Sequence, residues 1–241
     1  MIRAYSVSSV RAAEAAAMLG LDEGELMSRA AAGLAEVASA RLGVPGGRRV
    51  VALVGVGNNG GDALYAAALL AREGAAVVVL KVAEPVHAAG LLSAYDAGVV
   101  VLNAIGAHAD LPFEVSSTLG RAELVIDGIV GIGGRPGLSP EIDDLLREVS
   151  DTAYVIAVGL PSGADPDGEV AAPSCVFADE TVTFIVPKPV HLLPATEPAV
   201  GRLTVVDIGV EIDGPPVVER VTHDDVSGPV PRPGPRDATY T

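Results

Sequence analysis

The chain has 241 residues, and its 31 acidic against 16 basic side chains leave a formal charge of −15. That balance argues against a nucleic-acid partner, which needs clustered Lys and Arg for its phosphates, and the absence of Trp with only 5 Tyr and 3 Phe removes the platforms on which bases stack. At 49% hydrophobic residues the chain is no disordered tail, and it is long enough to bury a substantial core of Ala, Val, Leu and Ile.

The N-terminus carries Arg11 and Glu14 where a secretory signal needs its apolar stretch, and no run approaches the length of a membrane span. The first 45 residues read as helix: Ser6 or Ser9 caps a segment running to about residue 19, and Leu26, Ala30, Leu34 and Val37 then recur at helical spacing. A break at 43–47 precedes a change of pattern. From Arg48 onward, nearly continuous apolar runs at 50–54, 76–80, 99–102, 124–127, 154–158, 181–185 and 203–208 alternate with helical stretches at 62–72, 85–97 and 140–149. Short apolar runs without alternation are strands buried on both faces, so the expected architecture is a three-layer α/β/α, Rossmann-like, doubly wound and mainly parallel sheet. The lone Cys175 excludes an intrachain disulfide framework and an all-cysteine metal site, and the expected compartment is the reducing cytoplasm. From about Glu211 the chain is rich in Pro and Asp, and it reads as a loose tail ending in PRPGPRDATYT.

Doubly wound sheets bind ligands beyond the carboxyl ends of their strands. Four loops therefore carry the search, those after Val54, Asp127, Val158 and Ile185. In the first, Gly55, Gly57 and Gly60 satisfy the G-x-G-x-x-G pattern of dinucleotide sites. Asp62, in or beside the first helical turn, opposes a bound pyrophosphate, and no Lys follows the glycines as in the phosphate loop of ATPases. A tight turn with Asn caps is the plainer alternative. In the second loop, Asp127 ends an apolar strand as a cation ligand, a general base or simply a solvated carboxylate, and Arg135 pairs with a ligand phosphate or an acidic neighbour. In the third, Pro161 and Gly163 hold Ser162 on a rigid turn, outside any nucleophile-elbow pattern, which favours a hydroxyl ligand over a nucleophile. His87, His108, His191 and His223 lack metal-ligand spacing and read as ordinary surface or core residues.

Taken in order, VGNNGGDAL (56–64), VIDGIVGIGGRPG (125–137), LPSGADPDG (160–168), FIVPKPVHLL (184–193) and GRLTVVDIGV (201–210) resemble the NAD(P)H-hydrate epimerase family, the YjeF-type amino-terminal domain. RAAEAAA (11–17) and ELMSRAA (25–31) are similar to it as well. The resemblance implies an isomerase that repairs nicotinamide nucleotides by interconverting the R and S forms of hydrated NADH and NADPH. It assigns residues 1–212 to the epimerase domain and 213–241 to a tail or linker. It implies that Asn58, Asn59, Gly60, Gly61 and Asp62, with Gly131, Ile132, Gly133, Gly134, Arg135, Pro136 and Gly137, contact the substrate. It also implies that Asn59, Asp127 and Ser162 hold one potassium ion per subunit, three hard oxygen donors suited to such an ion. Gly159 stands where the family carries a substrate-binding Asp, so proton transfer falls to Asp62 or Asp127 and activity is expected to be attenuated. The expected partners are the hydrate and an ADP- or ATP-dependent dehydratase, separate or fused through the tail, with a homodimer among the expected assemblies. Two other readings stay open: a ligand-binding module without turnover, and a nicotinamide-dependent oxidoreductase.

Overall fold

The computed structural model describes residues 1–107, 111–222 and 225. His108, His223 and the terminal PRPGPRDATYT lie outside them. The chain opens with a short strand, β1 (Ile2–Ala4), before the helices α1 (Val7–Met18) and α2 (Glu25–Leu42). Ser6 is the N-cap of α1, its hydroxyl accepting the Ser9 N–H at 3.1 Å. The alternation that follows runs β2 (Arg49–Val54), α3 (Gly57–Arg72), β3 (Ala76–Lys81), α4 (Ala88–Asp96), β4 (Val100–Asn103), α5 (Phe113–Leu119), β5 (Leu124–Gly128), α6 (Pro140–Arg147), β6 (Tyr154–Val158), β7 (Glu180–Phe184), α7 (Glu197–Val200), β8 (Arg202–Val206) and β9 (Val218–Arg220).

Strands β2 to β8 form one sheet of order β4-β3-β2-β5-β6-β7-β8, every neighbouring pair parallel. Residues along each strand divide between two cores. Val50, Ala52, Val54, Leu124 and Ile126 pack with α2, α3 and α4, while Val51, Leu53 and Val125 pack with α5 and α6. Burial on both faces is why these runs read as continuously apolar. Because β2 lies beside β5 while the chain between them winds outward through β3 and β4, strand order reverses at the β2/β5 junction. The carboxyl ends of β2 and β5 diverge there and leave a crevice.

Three local expectations need correction. Helix α3 begins at Gly57, not at Asp62, so the Asn-Asn-Gly-Gly run is helical rather than a loop. Such residues are poor helix formers, and tertiary packing overrides their preference: a Cβ at Gly60 would lie 2.2 Å from the Gly55 carbonyl oxygen, so only glycine lets the helix start this close to the β2 loop. Helix α4 starts at Ala88 with His87 as its N-cap, the Nδ1 accepting the Gly90 N–H at 3.0 Å. The tail expected from residue 213 is not wholly loose, since β9 pairs antiparallel with β1 and the Val217 N–H reaches the Ala4 carbonyl. Among the described residues no helix is long and apolar enough to cross a membrane.

Candidate functional site

A cavity of 440 Å³ lies over the carboxyl end of the sheet, at the point of strand reversal. All four loops chosen from the sequence reach it. The first contributes Val56, Gly57, Asn58, Asn59 and Asp62; the second contributes residues 130–134; the third contributes Gly159; and Phe184 and Lys188 come from the end of β7. Helix α1 supplies the remaining wall with Arg11 and Glu14.

The floor is the amino terminus of α3. Its N-cap residue, Val56, makes no side-chain cap, so the first-turn N–H groups remain available to an anion. Asp62 sits in the second turn, not beside the first, and its side chain is buried with 8% of its surface exposed. It accepts no hydrogen bond among the described residues. Burial and the nearby Glu14 carboxylate push its pKa well above the ordinary value, which weakens its opposition to an anion. Glu14 is likewise raised by burial, against the opposing charges of Lys188 and Arg11.

Lys188 escaped the sequence reading, although it stands within the FIVPKPVHLL segment. Strand β7 ends where Ile185 adopts a left-handed φ of 68°, rare for a β-branched residue, and the chain turns back toward the cavity. The Lys188 Nζ donates to Thr183 Oγ1 at 2.8 Å and to the carbonyls of Phe184 and Val186 at 3.2 and 3.3 Å. Burial lowers its pKa to about 8, against the pull of Glu14. Next to it, His191 is a core histidine with a structural task. Its Nδ1 accepts the Lys188 N–H at 2.9 Å, so Nε2 carries the proton and donates to the Gly159 carbonyl at 2.8 Å. Burial, and then the Lys188 charge, depress its pKa to about 3, which keeps the ring neutral.

Gly159 has a φ of 75°, and a Cβ there would lie 3.2 Å from Asn59 Oδ1. The other end of that amide, Nδ2, is buried without a hydrogen-bond partner, the only such side-chain atom among the described residues. A buried donor left unpaired is costly and uncommon in a native fold.

Asp127 and Ser162 are brought together beneath this surface. The Ser162 hydroxyl donates to Asp127 Oδ1 at 2.6 Å, and the Ser162 and Ile129 N–H groups donate to the same carboxylate at 2.8 and 3.3 Å. Burial raises the Asp127 pKa to about 6 despite these bonds. Asp127 is the second carboxylate expected to move protons on the substrate. Its side chain leaves β5 toward the α5 and α6 side, and it borders a separate 170 Å³ cavity with Cys175, not the large one. Of the three expected cation ligands, Asp127 and Ser162 are hydrogen-bonded to one another, and Asn59 lines the large cavity with its Oδ1 against the Gly131 and Gly159 loops. Gly60, Gly61, Arg135, Pro136 and Gly137 also fall outside the lining. Gly60 and Gly61 are buried within α3, and Arg135 and Pro136 are exposed beyond the rim.

Residues 23–190 match the family model described as YjeF-related protein N-terminus. The chain is 41% identical over 244 residues to the "Bifunctional NAD(P)H-hydrate repair enzyme Nnr" of Mycobacterium tuberculosis, a match covering 98% of this chain and 48% of that protein. It is 38% identical over 229 residues to the "NAD(P)H-hydrate epimerase" of Clavibacter sepedonicus, covering 91% of this chain and 96% of the relative. The chain thus spans about half the length of the bifunctional relatives it matches. A yeast protein of known crystal structure shares the fold with a TM-score of 0.62 at 22% identity, over 78% of this chain and 82% of that one.

Proposed function

The chain belongs to the family described as YjeF-related protein N-terminus, and from that membership and the chemistry of the cavity we propose that it epimerises hydrated NADH and NADPH. Relatives carrying that name over most of this chain support the reading. The observation that carries it is Asp62, a buried carboxyl with a raised pKa and no hydrogen-bond partner among the described residues, standing in the same cavity as the uncapped start of α3. An acid is what the reaction needs at its first step. The hydroxyl leaves the ring carbon with the bonding pair as it takes a proton, giving water while the ring nitrogen lone pair forms an iminium. Water then adds to the opposite face and loses a proton, giving the other epimer. No electrons are gained or lost overall. The α3 N–H groups suit the pyrophosphate, and the mobile proton and negative charge near the cationic ring supply the chemistry. An oxidoreductase reading finds no support in these relatives.

We also infer that Asn59, Asp127 and Ser162 hold a potassium-type ion. The donor set fits: the Asp127 carboxylate is fully buried without a basic partner among the described residues, and the Ser162 hydroxyl lies 3.2 Å from the Val130 carbonyl oxygen. Held by these residues, such an ion would supply positive charge to offset the buried Asp127 carboxylate, while proton transfer belongs to the cavity carboxyls. The bifunctional relatives support a dehydratase as partner, fused or separate, and the single half-buried Cys175 suits a cytoplasmic setting. The test is to follow the R and S hydrates by NMR or chiral chromatography. The protein should accelerate their equilibration, and a rate unchanged by its addition refutes the proposal.

A further inference from the structure

The cavity holds four ionisable side chains, and they are not equivalent. Glu14 and Arg11 come from α1, Asp62 from α3, and Lys188 from the turn after β7. Glu14 lies outside the residues 23–190 that the family model matches. Lys188 spends its three N–H donors on Thr183 and the Phe184 and Val186 carbonyls, so it acts on Glu14 through charge alone. Arg11 extends its Nη2 toward the Ile132 carbonyl at 3.4 Å, at the rim. Both positive charges act on Glu14, whereas the charge felt by Asp62 is that of Glu14 itself. His191, behind Lys188, is neutral.

We propose that Glu14 and Asp62 form one carboxyl pair that serves as the acid and base of this cavity, in the place of the side chain that Gly159 lacks. The inference rests on the epimerase reading and names the groups that carry it out. Two carboxyls whose surroundings differ divide the roles between them. Asp62, the more buried of the two and without a hydrogen bond or a basic partner among the described residues, is the acid. Glu14, less buried and with the positive charges of Lys188 and Arg11 opposing the effect of burial, is the base. Asp62 gives its proton to the departing hydroxyl, the C–O bond breaks with its electron pair on oxygen, and water is released. Both carboxylates are then negative around the cationic ring. Water adds from the other face as Glu14 takes its proton, and transfer of that proton from Glu14 to Asp62 resets the pair. For the opposite direction the roles exchange. The two groups reach the cavity from different helices, as an acid and a base serving two faces of a ring require.

The experiment combines rates with carboxyl ¹³C NMR titration of the full chain. Glu14→Gln and Asp62→Asn should each lower kcat by about 10² to 10⁴-fold with a smaller change in KM, and Glu14→Asp should recover part of the loss. The Asp62 resonance should titrate at lower pH in Glu14→Gln, because the like charge is gone. The alkaline limb of the kcat profile should move down with it. Circular dichroism and affinity for NADPH report whether each variant keeps its fold and site. A Glu14→Gln rate within a few-fold of the unsubstituted chain, or an unmoved Asp62 titration, overturns the pair. Absence of epimerisation by the unsubstituted chain instead refutes the proposed function, and the titration alone then decides whether the carboxyls are coupled.

Discussion

Gly159→Asp puts a carboxylate back where the family pattern has one, and the structure sets what it does to stability and rate. A φ of 75° costs a residue with a Cβ about 1 to 2 kcal/mol, toward the low end for Asp, which tolerates the left-handed region. The new Cβ stands 3.2 Å from Asn59 Oδ1, so the amide must exchange its ends to avoid facing a carboxylate with an oxygen. That exchange presents Nδ2, now buried and unpaired, to an acceptor. Satisfying a buried donor recovers about 1 to 3 kcal/mol. The two effects offset, and the expected change in stability is within about 1 kcal/mol, or a Tm shift of no more than about 4 °C for a chain of this size. A third carboxyl at the reacting ring should raise kcat by about 10²-fold, the low end for general acid and base catalysis, because Glu14 and Asp62 already offer a route. Thermal denaturation and the hydrate equilibration assay read the two effects. A Tm loss above about 10 °C refutes the amide exchange, and an unchanged kcat in a stable variant refutes a part for a carboxyl at position 159 in proton transfer.

Three further outcomes follow from the geometry. Glu180 is fully buried and binds Arg41 Nε and Nη2 at 2.6 and 2.9 Å, tying β7 to α2, so Glu180→Ala should cost about 3 kcal/mol in chemical denaturation. Burial opposes its charge, but hydrogen bonds from Arg41, Thr204 and Tyr154 hold the carboxyl below its usual range, so this contribution is complete above the ordinary value of 4.5 and fades as pH falls. Lys188 binds its proton more weakly folded, at about 8, than unfolded, at 10.5; the unfolded chain holds the extra proton between these values, so urea stability should rise across pH 8 to 10.5 by about 3 kcal/mol. That rise should vanish in Lys188→Met, and its persistence would assign it to another group. Potassium chloride should raise the Tm above that in an equal concentration of N-methylglucamine chloride, and Asp127→Asn should abolish the difference. Equal melting in both salts argues against the cation site.

The alternation of apolar runs and helical stretches determined the parallel sheet, its seven strands and the four loops at its carboxyl end, because burial on both faces leaves a local and repeated mark on composition. The Gly-rich run announced that the chain comes close to itself after β2, but not that it is helical: that depends on the Gly55 carbonyl lying against Gly60 across the turn. Other features had no local mark. Asp62 and Asp127 look alike in sequence, each an acidic residue at a loop after a strand, yet one enters the large cavity from a helix and the other leaves β5 on the opposite side of the sheet. Glu14 and Lys188 are 174 positions apart in the chain and share a cavity only because α1 packs beside the end of β7. Likewise β1 and β9 join segments whose patterns gave neither as a strand. Periodicity reports which side of its own element a residue takes, whereas the set of side chains facing one cavity, and so which carboxyl keeps its proton, is decided by how distant elements pack.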